Sequence, residues 1–427
     1  MTELMADSGA IQVRLADQLV DALDLADEPS VHQEALRTAR QTLGHGLCGC
    51  VVPERKLQIR ERASRLHAAV WPQDGSHHAV GCPFRRVHEA AGQTHAAVVE
   101  SDEGFDVKID ASFLEHSRAW EQAPVEKAGD GAGRPQASPK APRGSADLQV
   151  LMDLLWRRAD LDRWLPHWKR DYWRVAKRLQ LVVEEGHCRG RPLEEIVQIV
   201  PPWRENARAE ILNVWEAFDR SLDAPDGEVA EQPTRLIVGE LSHLHRSRFG
   251  WQLRLKHTRP TIFLNSNLHT AWARHWGSAL LHLQAEDGED PASPEVTGSR
   301  VFGMLQVLRT RKGNHVAIAG HLMPLDRHYM PASNGAETLV CGKLIEAGRA
   351  FMRGDAAAHP ERDPNLPRVV YTLLDTDPPT PVSICMNVSV RSAFAVEKVH
   401  QAGLPWWLWN PNSDGQMPPL ERLGFDT

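Results

Sequence analysis

The chain has none of the short signatures behind several common chemistries: no Walker-type phosphate loop, no His-Glu-x-x-His and no Gly-x-Ser-x-Gly. Nucleotide hydrolysis, zinc proteolysis and hydrolase-type acyl transfer therefore lack a foothold. No apolar run approaches the length of a membrane span, so no membrane partner is expected. Residues 1–41 carry acids throughout and lack a basic segment leading into an apolar core, which a secretory signal requires. Excess positive charge is missing too: the formal net charge is −7, so any nucleic-acid surface has to be local. Cysteine is scarce, six in 427 residues, and a cytoplasmic chain with reduced thiols is expected. There, clustered cysteines serve as metal ligands rather than as disulfides. The length exceeds what one core supports, so two to four domains are expected.

What is present is concentrated. Three of the six cysteines, Cys48, Cys50 and Cys82, share one window with His78. Four soft or borderline donors on two chain segments are what tetrahedral zinc requires, and a site closed by four protein ligands is structural rather than catalytic. Leu57 and Ile59, then Leu66, Ala68 and Val70, sit two apart, which predicts a hairpin between the ligand pairs. Trp71-Pro72-Gln73-Asp74-Gly75 is turn chemistry that re-aims the chain toward the first pair. Which histidine completes the set stays open among His78, His77 and His45. The competing reading is a set of buried, reduced thiols acting as small hydrophobes.

Gly44-His45-Gly46-Leu47-Cys48-Gly49-Cys50, a hairpin, then His78-Ala79-Val80-Gly81-Cys82-Pro83-Phe84 resemble a bacterial family of unknown function defined by three N-terminal cysteines. The likeness extends to Gly-Arg-Ala-Phe at 348–351 and Leu-Leu-Asp-Thr at 373–376. It implies an origin in integrative and conjugative elements, with protein partners from such an element. It implies no reaction.

Along the chain, Val13, Leu15, Leu19, Leu23 and Leu25 come close to helical spacing before Pro29, which predicts a short N-terminal helix. Residues 121–146 are Ala, Pro, Gly and Lys with almost no large apolar residue, the composition of a disordered linker. From 147 to about 202 the sequence is helical and rich in tryptophan, with Leu161, Trp164, Leu165 and Trp168 at the spacing of a helix stripe interrupted by Pro166. Arg157, Arg158, Lys169, Arg170, Arg174, Lys177 and Arg178 make this the most basic stretch. Cations on a helix with aromatics behind them suit a helix-turn-helix or winged-helix reader of DNA; a Trp-rich core with a solvated face is the plainer alternative.

Beyond Thr234, residues 236–239, 251–255, 261–264 and 301–308 read as strands, and about 267–283 as a helix. His243 and His245 would share a strand face near Glu240, and two exposed histidines explain them better than a metal does. The last hundred residues carry a predicted helix over Ala336–Met352, strands at 368–374, 382–388 and 406–409, and a helix through Lys398. That order resembles the PD-(D/E)XK nuclease core, whose carboxylates hold Mg²⁺ beside a lysine. Here Arg368 follows Pro367 where an aspartate belongs, and Ser383-Ile384-Cys385-Met386-Asn387 offers no acidic ligand. Glu337, Asp375, Asp377 and Lys398 remain for a displaced site.

The expected fold class is α+β multidomain. It comprises a zinc-stapled β module at 1–120, the linker at 121–146, a basic helical domain at 147–232 and a mixed α/β region at 233–427, ending in a restriction-endonuclease-like core at 333–412. The expected function is a zinc-containing, DNA-associated accessory protein of a mobile element, with Arg368 and the basic helical residues gripping nucleic acid. The alternatives are an active Mg²⁺-dependent nuclease using Glu337, Asp375 and Lys398, and a protein-binding scaffold.

Overall fold

The computed structural model describes residues 11–62, 65–71, 74–79, 81–85, 97–101, 104–108, 116–117, 145–223, 232–247, 250–258, 260–264, 266–284, 299–354, 369–376, 379–384, 407–411 and 416–417. These form an α+β chain with several sheets and seven α-helices among the described residues. They fall into two units: residues 1–93, 165–167 and 348–427 in the first, 94–164 and 168–347 in the second. The division at 348 lies inside the stretch read as a nuclease-like core, and the 121–146 stretch lies outside the described residues.

The first unit opens with β1 (Gln12–Leu15), β2 (Gln18–Asp21), α1 (Ala22–Asp27) and α2 (Gln33–Thr42). Then come β3 (His45–Cys48), β4 (Arg55–Arg62) and β5 (Arg65–Val70), giving an antiparallel sheet in the order β2-β1-β3-β4-β5. The single helix predicted over Val13–Leu25 is instead a hairpin and one short helix. Val13 and Leu15 are two apart and both buried in β1, Ala16 turns the chain at φ 55°, and Asp21 caps α1 by accepting from Leu23 N and Asp24 N. The β4/β5 hairpin follows the period-2 pattern, with Leu57 opposite Val70 and Ile59 opposite Ala68. Leu25, Leu36 and Ala39 from the two helices close a small core over Val13, Leu15, Leu57 and Ile59.

In the second unit β6 (Ala97–Ser101) and β7 (Gly104–Lys108) form a hairpin, and β8 (His116–Ser117) follows. Next come α3 (Ser145–Arg158), β9 (Arg163–Trp164), α4 (Tyr172–Glu185), β10 (Gly186–Cys188), β11 (Arg191–Pro192), β12 (Val197–Ile199), α5 (Arg208–Ser221) and β13 (Gln232–Pro233). The residues read as a helix stripe at 161–168 are not helical: Asp160 sits at φ 55°, and Pro166 cannot continue a helix. Their apolar side chains are buried all the same.

The rest of this unit is a closed ring. β14 (Arg235–Ser247), β15 (Gly250–Leu255) and β16 (Ile262–Leu264) precede α6 (Ser266–Gln284), and β17 (Arg300–Arg309) and β18 (His315–Leu325) follow it. β14 pairs with β17 through residues 235–240 and with β15 through 241–247, and β16 pairs in parallel with β18. One side chain of α6 sits tightly against the ring. Trp272 donates its indole N–H to Gly320 O at 3.2 Å, where a Cβ on Gly320 would come within 2.6 Å of the ring.

α7 (Gly335–Glu346) completes the second unit, and β19 (Phe351–Arg353), β20 (Val369–Leu373), β21 (Thr380–Ile384) and β22 (Trp407–Trp409) belong to the first. The helix predicted to reach Met352 ends earlier, because Gly348 takes φ 66° and the chain then extends. β20 pairs antiparallel with β19 on one side and with β21 on the other, and β22 lies parallel to β21.

Candidate metal centre

Cys48 closes β3 with its side chain turned into the core, and Cys50 follows two residues later in a turn held by Gly49 N donating to Gln12 O at 2.9 Å. His78 leaves a single 3₁₀ turn, and Cys82 follows in a tight turn closed by its own N–H on Ala79 O at 2.9 Å. The β4/β5 hairpin returns the chain to the end of β3, so the two pairs converge. Cys48 Sγ lies 3.6 Å from Cys82 Sγ, Cys50 Sγ 3.2 Å from His78 Nδ1, and Cys82 Sγ 3.4 Å from the same nitrogen. All four donor atoms lie within 4.8 Å of one another.

Those separations suit a metal ion. Bonds of about 2.3 Å to sulfur and about 2.0 Å to nitrogen in a tetrahedron place sulfurs about 3.8 Å apart and sulfur and nitrogen about 3.5 Å apart. The group can therefore hold an ion such as zinc. Backbone N–H groups already point at the sulfurs, Ala79 N toward Cys50 at 3.5 Å and Phe84 N toward Cys82 at 3.4 Å. Left to themselves, the three thiols compete for their protons. Hydrogen bonds from Cys48 and Cys82 pull Cys50 far below the ordinary thiol range, while Cys48 is pushed up to about 12, chiefly by its bond to Cys50, and Cys82 is raised, chiefly by its bond to Cys48. Cys48, Cys50 and Cys82 would escape that competition by holding a divalent cation as thiolates.

The histidine ambiguity resolves to His78. His77 Nδ1 faces Asp74 at 3.2 Å, and His45 Nδ1 lies 2.8 Å from Leu43 O with its ring edge-on to Trp71. Gly44, Gly46 and Gly49 have the spacing of a dinucleotide fingerprint, but the segment is strand β3 entering a turn, with no helix N-terminus to receive a pyrophosphate. His243 and His245 share the outer face of β14, and among the described residues they join no group of three ligands.

The basic residues of α3, α4 and the segment between them are largely engaged inside the second unit. Arg170 donates to Leu161 O at 2.9 Å, Asp160 O at 3.0 Å and Arg163 O, lies over Trp164 and Trp168, and is pushed down to about 9 by burial and by the Arg178 charge. Arg158 stacks 4.0 Å from the Phe105 ring centre and Arg178 4.6 Å from that of Trp168. Arg174 pairs with Asp171 at 2.6 Å, and Lys177 lies 4.7 Å over Trp173. Arg157 is half-exposed and Lys169 exposed. Guanidinium over an aromatic face is a favourable packing arrangement, so here basic and aromatic residues interleave as core and lining.

The carboxylates read as a displaced nuclease site have local partners. Glu337 helps cap its own helix: its N–H donates to Oδ1 of the N-cap Asn334 at 2.9 Å, and its Oε2 accepts from the N–H of Ser333, just before the cap, at 2.6 Å. Asp375 accepts from Arg349 Nε at 2.8 Å, Arg349 NH2 at 2.5 Å and Ala350 N at 2.9 Å. Arg368, Asp377, Cys385 and Lys398 lie outside the described residues. Asp375→Ala should therefore cost the first unit about 2 kcal/mol by removing the two-pronged partner of a largely buried arginine. Chemical denaturation measures that cost, and an unchanged midpoint would show the pair to be idle.

From sequence, Glu240 stood out only as the acid near His243 and His245, not as the centre of an ion-pair network. It is 2% exposed in β14 and accepts from Lys256 Nζ at 2.5 Å, Arg300 NH1 at 2.8 Å and Tyr329 OH at 3.0 Å. The signal was a lone acid inside the apolar run Leu236–Leu241.

The chain belongs to the family described as "Protein of unknown function (DUF1173)", whose model matches residues 20–412. No curated protein and no solved structure matches it. No described helix is long and apolar enough to cross a membrane.

Proposed function

We propose that the chain is a zinc-containing, nucleic-acid-associated accessory protein that binds without cutting. The observation that carries the zinc assignment is the convergence of three sulfurs and one imidazole at tetrahedral spacing. Thiolate-rich donor sets favour zinc over hard cations such as Mg²⁺, and four protein ligands leave no position for a reacting water. Cys48, Cys50, His78 and Cys82 would hold the ion, and its contribution is to fix the end of β3 against the 78–82 turn. Three unoxidised thiols suit a cytoplasmic setting, and the N-terminal motif supports a place among integrative and conjugative elements.

The nucleic-acid reading draws on Trp173 with Lys177 and Arg174 beside its ring, and on the exposed Lys169 nearby in sequence. Arg170 drops out of that surface because its guanidinium is occupied by carbonyls. Each phosphate contact contributes about 0.9 to the slope of log affinity against log salt on duplex DNA. The variant Lys169→Ala/Arg174→Ala/Lys177→Ala should lower the slope by about 3 and weaken binding alike at every sequence. An unchanged slope would overturn this placement.

The absence of cutting is supported by Glu337 and Asp375, both committed to local hydrogen bonds rather than to a shared ion. Incubation of plasmid and oligonucleotide DNA with Mg²⁺ or Mn²⁺ should leave both intact. Cleavage that Glu337→Ala or Lys398→Ala abolishes would overturn the reading.

A further inference from the structure

The ring formed by β14, β15, β16, β18 and β17 has a definite topology. Numbered one to five along the chain, its strands run in the order 1-2-3-5-4-1. The third and fifth are parallel, the other pairs are antiparallel, and α6 lies between the third and fourth. That is the arrangement of an OB-fold barrel, whose second and third strands and adjoining loops present a ligand surface. Fold likeness alone does not assign a ligand, so the side chains on that surface have to decide.

The register settles which side chains face outward. Leu244, Leu253 and Ile262 stand opposite one another across three strands and are buried, so they face the barrel interior. Their alternates therefore face out: His245, Gln252 and Phe263 form one row across β14, β15 and β16, and His243 and Arg254 stand side by side one step along. His245 and Arg254 are exposed, and Gln252 and Phe263 are half-exposed. His245 Nε2 lies 2.8 Å from Gln252 Oε1, which fixes both groups on the face. The β17/β18 turn carries Arg311 and Lys312, both exposed, and leads into His315, the partner of Ile262. Basic groups therefore rim the end of β16.

We infer that this outer face of β14–β16 binds single-stranded nucleic acid, with Phe263 as the stacking platform, Arg254 on phosphate, and Arg311 and Lys312 guiding the strand past the rim. A half-exposed aromatic among cations and an amide matches an unpaired strand, whose bases offer flat faces and whose backbone is anionic. A duplex hides its base faces and gains little from such a row. A neutral oligosaccharide would leave Arg254, Arg311 and Lys312 without a charge partner. The inference rests on the nucleic-acid reading above but locates its single-strand component on the barrel instead of on α4.

The test is fluorescence anisotropy of the full zinc-loaded chain with a labelled oligothymidylate of about 20 nucleotides and, in parallel, a duplex of the same length, long enough to fill one barrel. Phe263→Ala/Arg254→Ala should weaken oligothymidylate binding about tenfold or more and leave duplex binding unchanged. Lys169→Ala/Arg174→Ala/Lys177→Ala should do the reverse. Arg254→Ala alone, at an exposed position that cannot disturb the barrel core, should also weaken the single strand measurably. If the natural protein binds neither probe, the nucleic-acid reading itself fails. If it binds oligothymidylate and both barrel variants retain full affinity, the inference is overturned while that reading stands. Binding of maltohexaose, lost in the same variants, would overturn the inference in favour of a sugar ligand.

Discussion

Cys82→Ser should release the zinc and unfold the N-terminal sheet of the first unit while leaving the barrel of the second intact. Cys82 is fully buried and contacts both Cys48 Sγ and His78 Nδ1, so its loss removes the ligand that ties the two chain segments together. Structural zinc in a small module supplies about 10 kcal/mol or more at neutral pH, comparable to the whole stability of a domain. The apolar core that remains, built around Val13, Leu15, Leu36, Leu57 and Ile59, is that of a module of about 75 residues, too small to offset such a loss. Limited proteolysis should therefore cut the variant within 11–85, and a chelator should produce the same pattern in the natural protein. Protection of that region in the chelated protein would mean that the sheet stands without metal.

Glu240→Ala should be the most damaging single substitution in the second unit. The carboxylate joins β14 to Lys256 beyond β15, to Arg300 at the start of β17 and to Tyr329 after β18. Removing one member of a buried ion-pair network costs about 3–5 kcal/mol, because the partners keep their desolvation without their compensation. The side chains of Lys256 and Arg300 are 41% and 31% exposed and regain some water, so the lower end, about 3 kcal/mol, is expected. Glu240→Gln keeps the shape and should cost less. Amide exchange across β14 and β17 during urea titration isolates this unit from the other, and unchanged protection would remove Glu240 as the staple of the ring.

How much of this was legible in the sequence depended on how local the signal was. Cys48-Gly49-Cys50 and Cys82 stood out because ligand spacing is a property of short segments, and alternation at Leu57, Ile59 and Leu66 marked the hairpin between them. The choice of His78 over His77 was not legible, since adjacent residues differ only in where the 3₁₀ turn ends and in the pull of Asp74. β15, β16, β17 and α6 were read close to their bounds, whereas β14 was read only over 236–239 and β18 was not read as a strand. The closure of the barrel was not legible, because the pairing of β14 with β17 joins residues that lie 60 or more positions apart, and nothing in either strand names its partner. In the basic tryptophan-rich stretch, charge and aromatic content are visible in sequence, whereas the carbonyls of 160–163 that take up Arg170 appear only once the chain turns at Asp160. Val13 and Leu15 satisfied two periods at once, and the turn at Ala16 decided for the strand.

The central claim is that Cys48, Cys50, His78 and Cys82 hold one metal ion, and elemental analysis of the purified natural protein combined with thiol alkylation tests it most directly. The account predicts about one zinc per chain, with Cys48, Cys50 and Cys82 unreactive until a chelator is added. A protein that is folded, free of metal and alkylated at all three cysteines would contradict it.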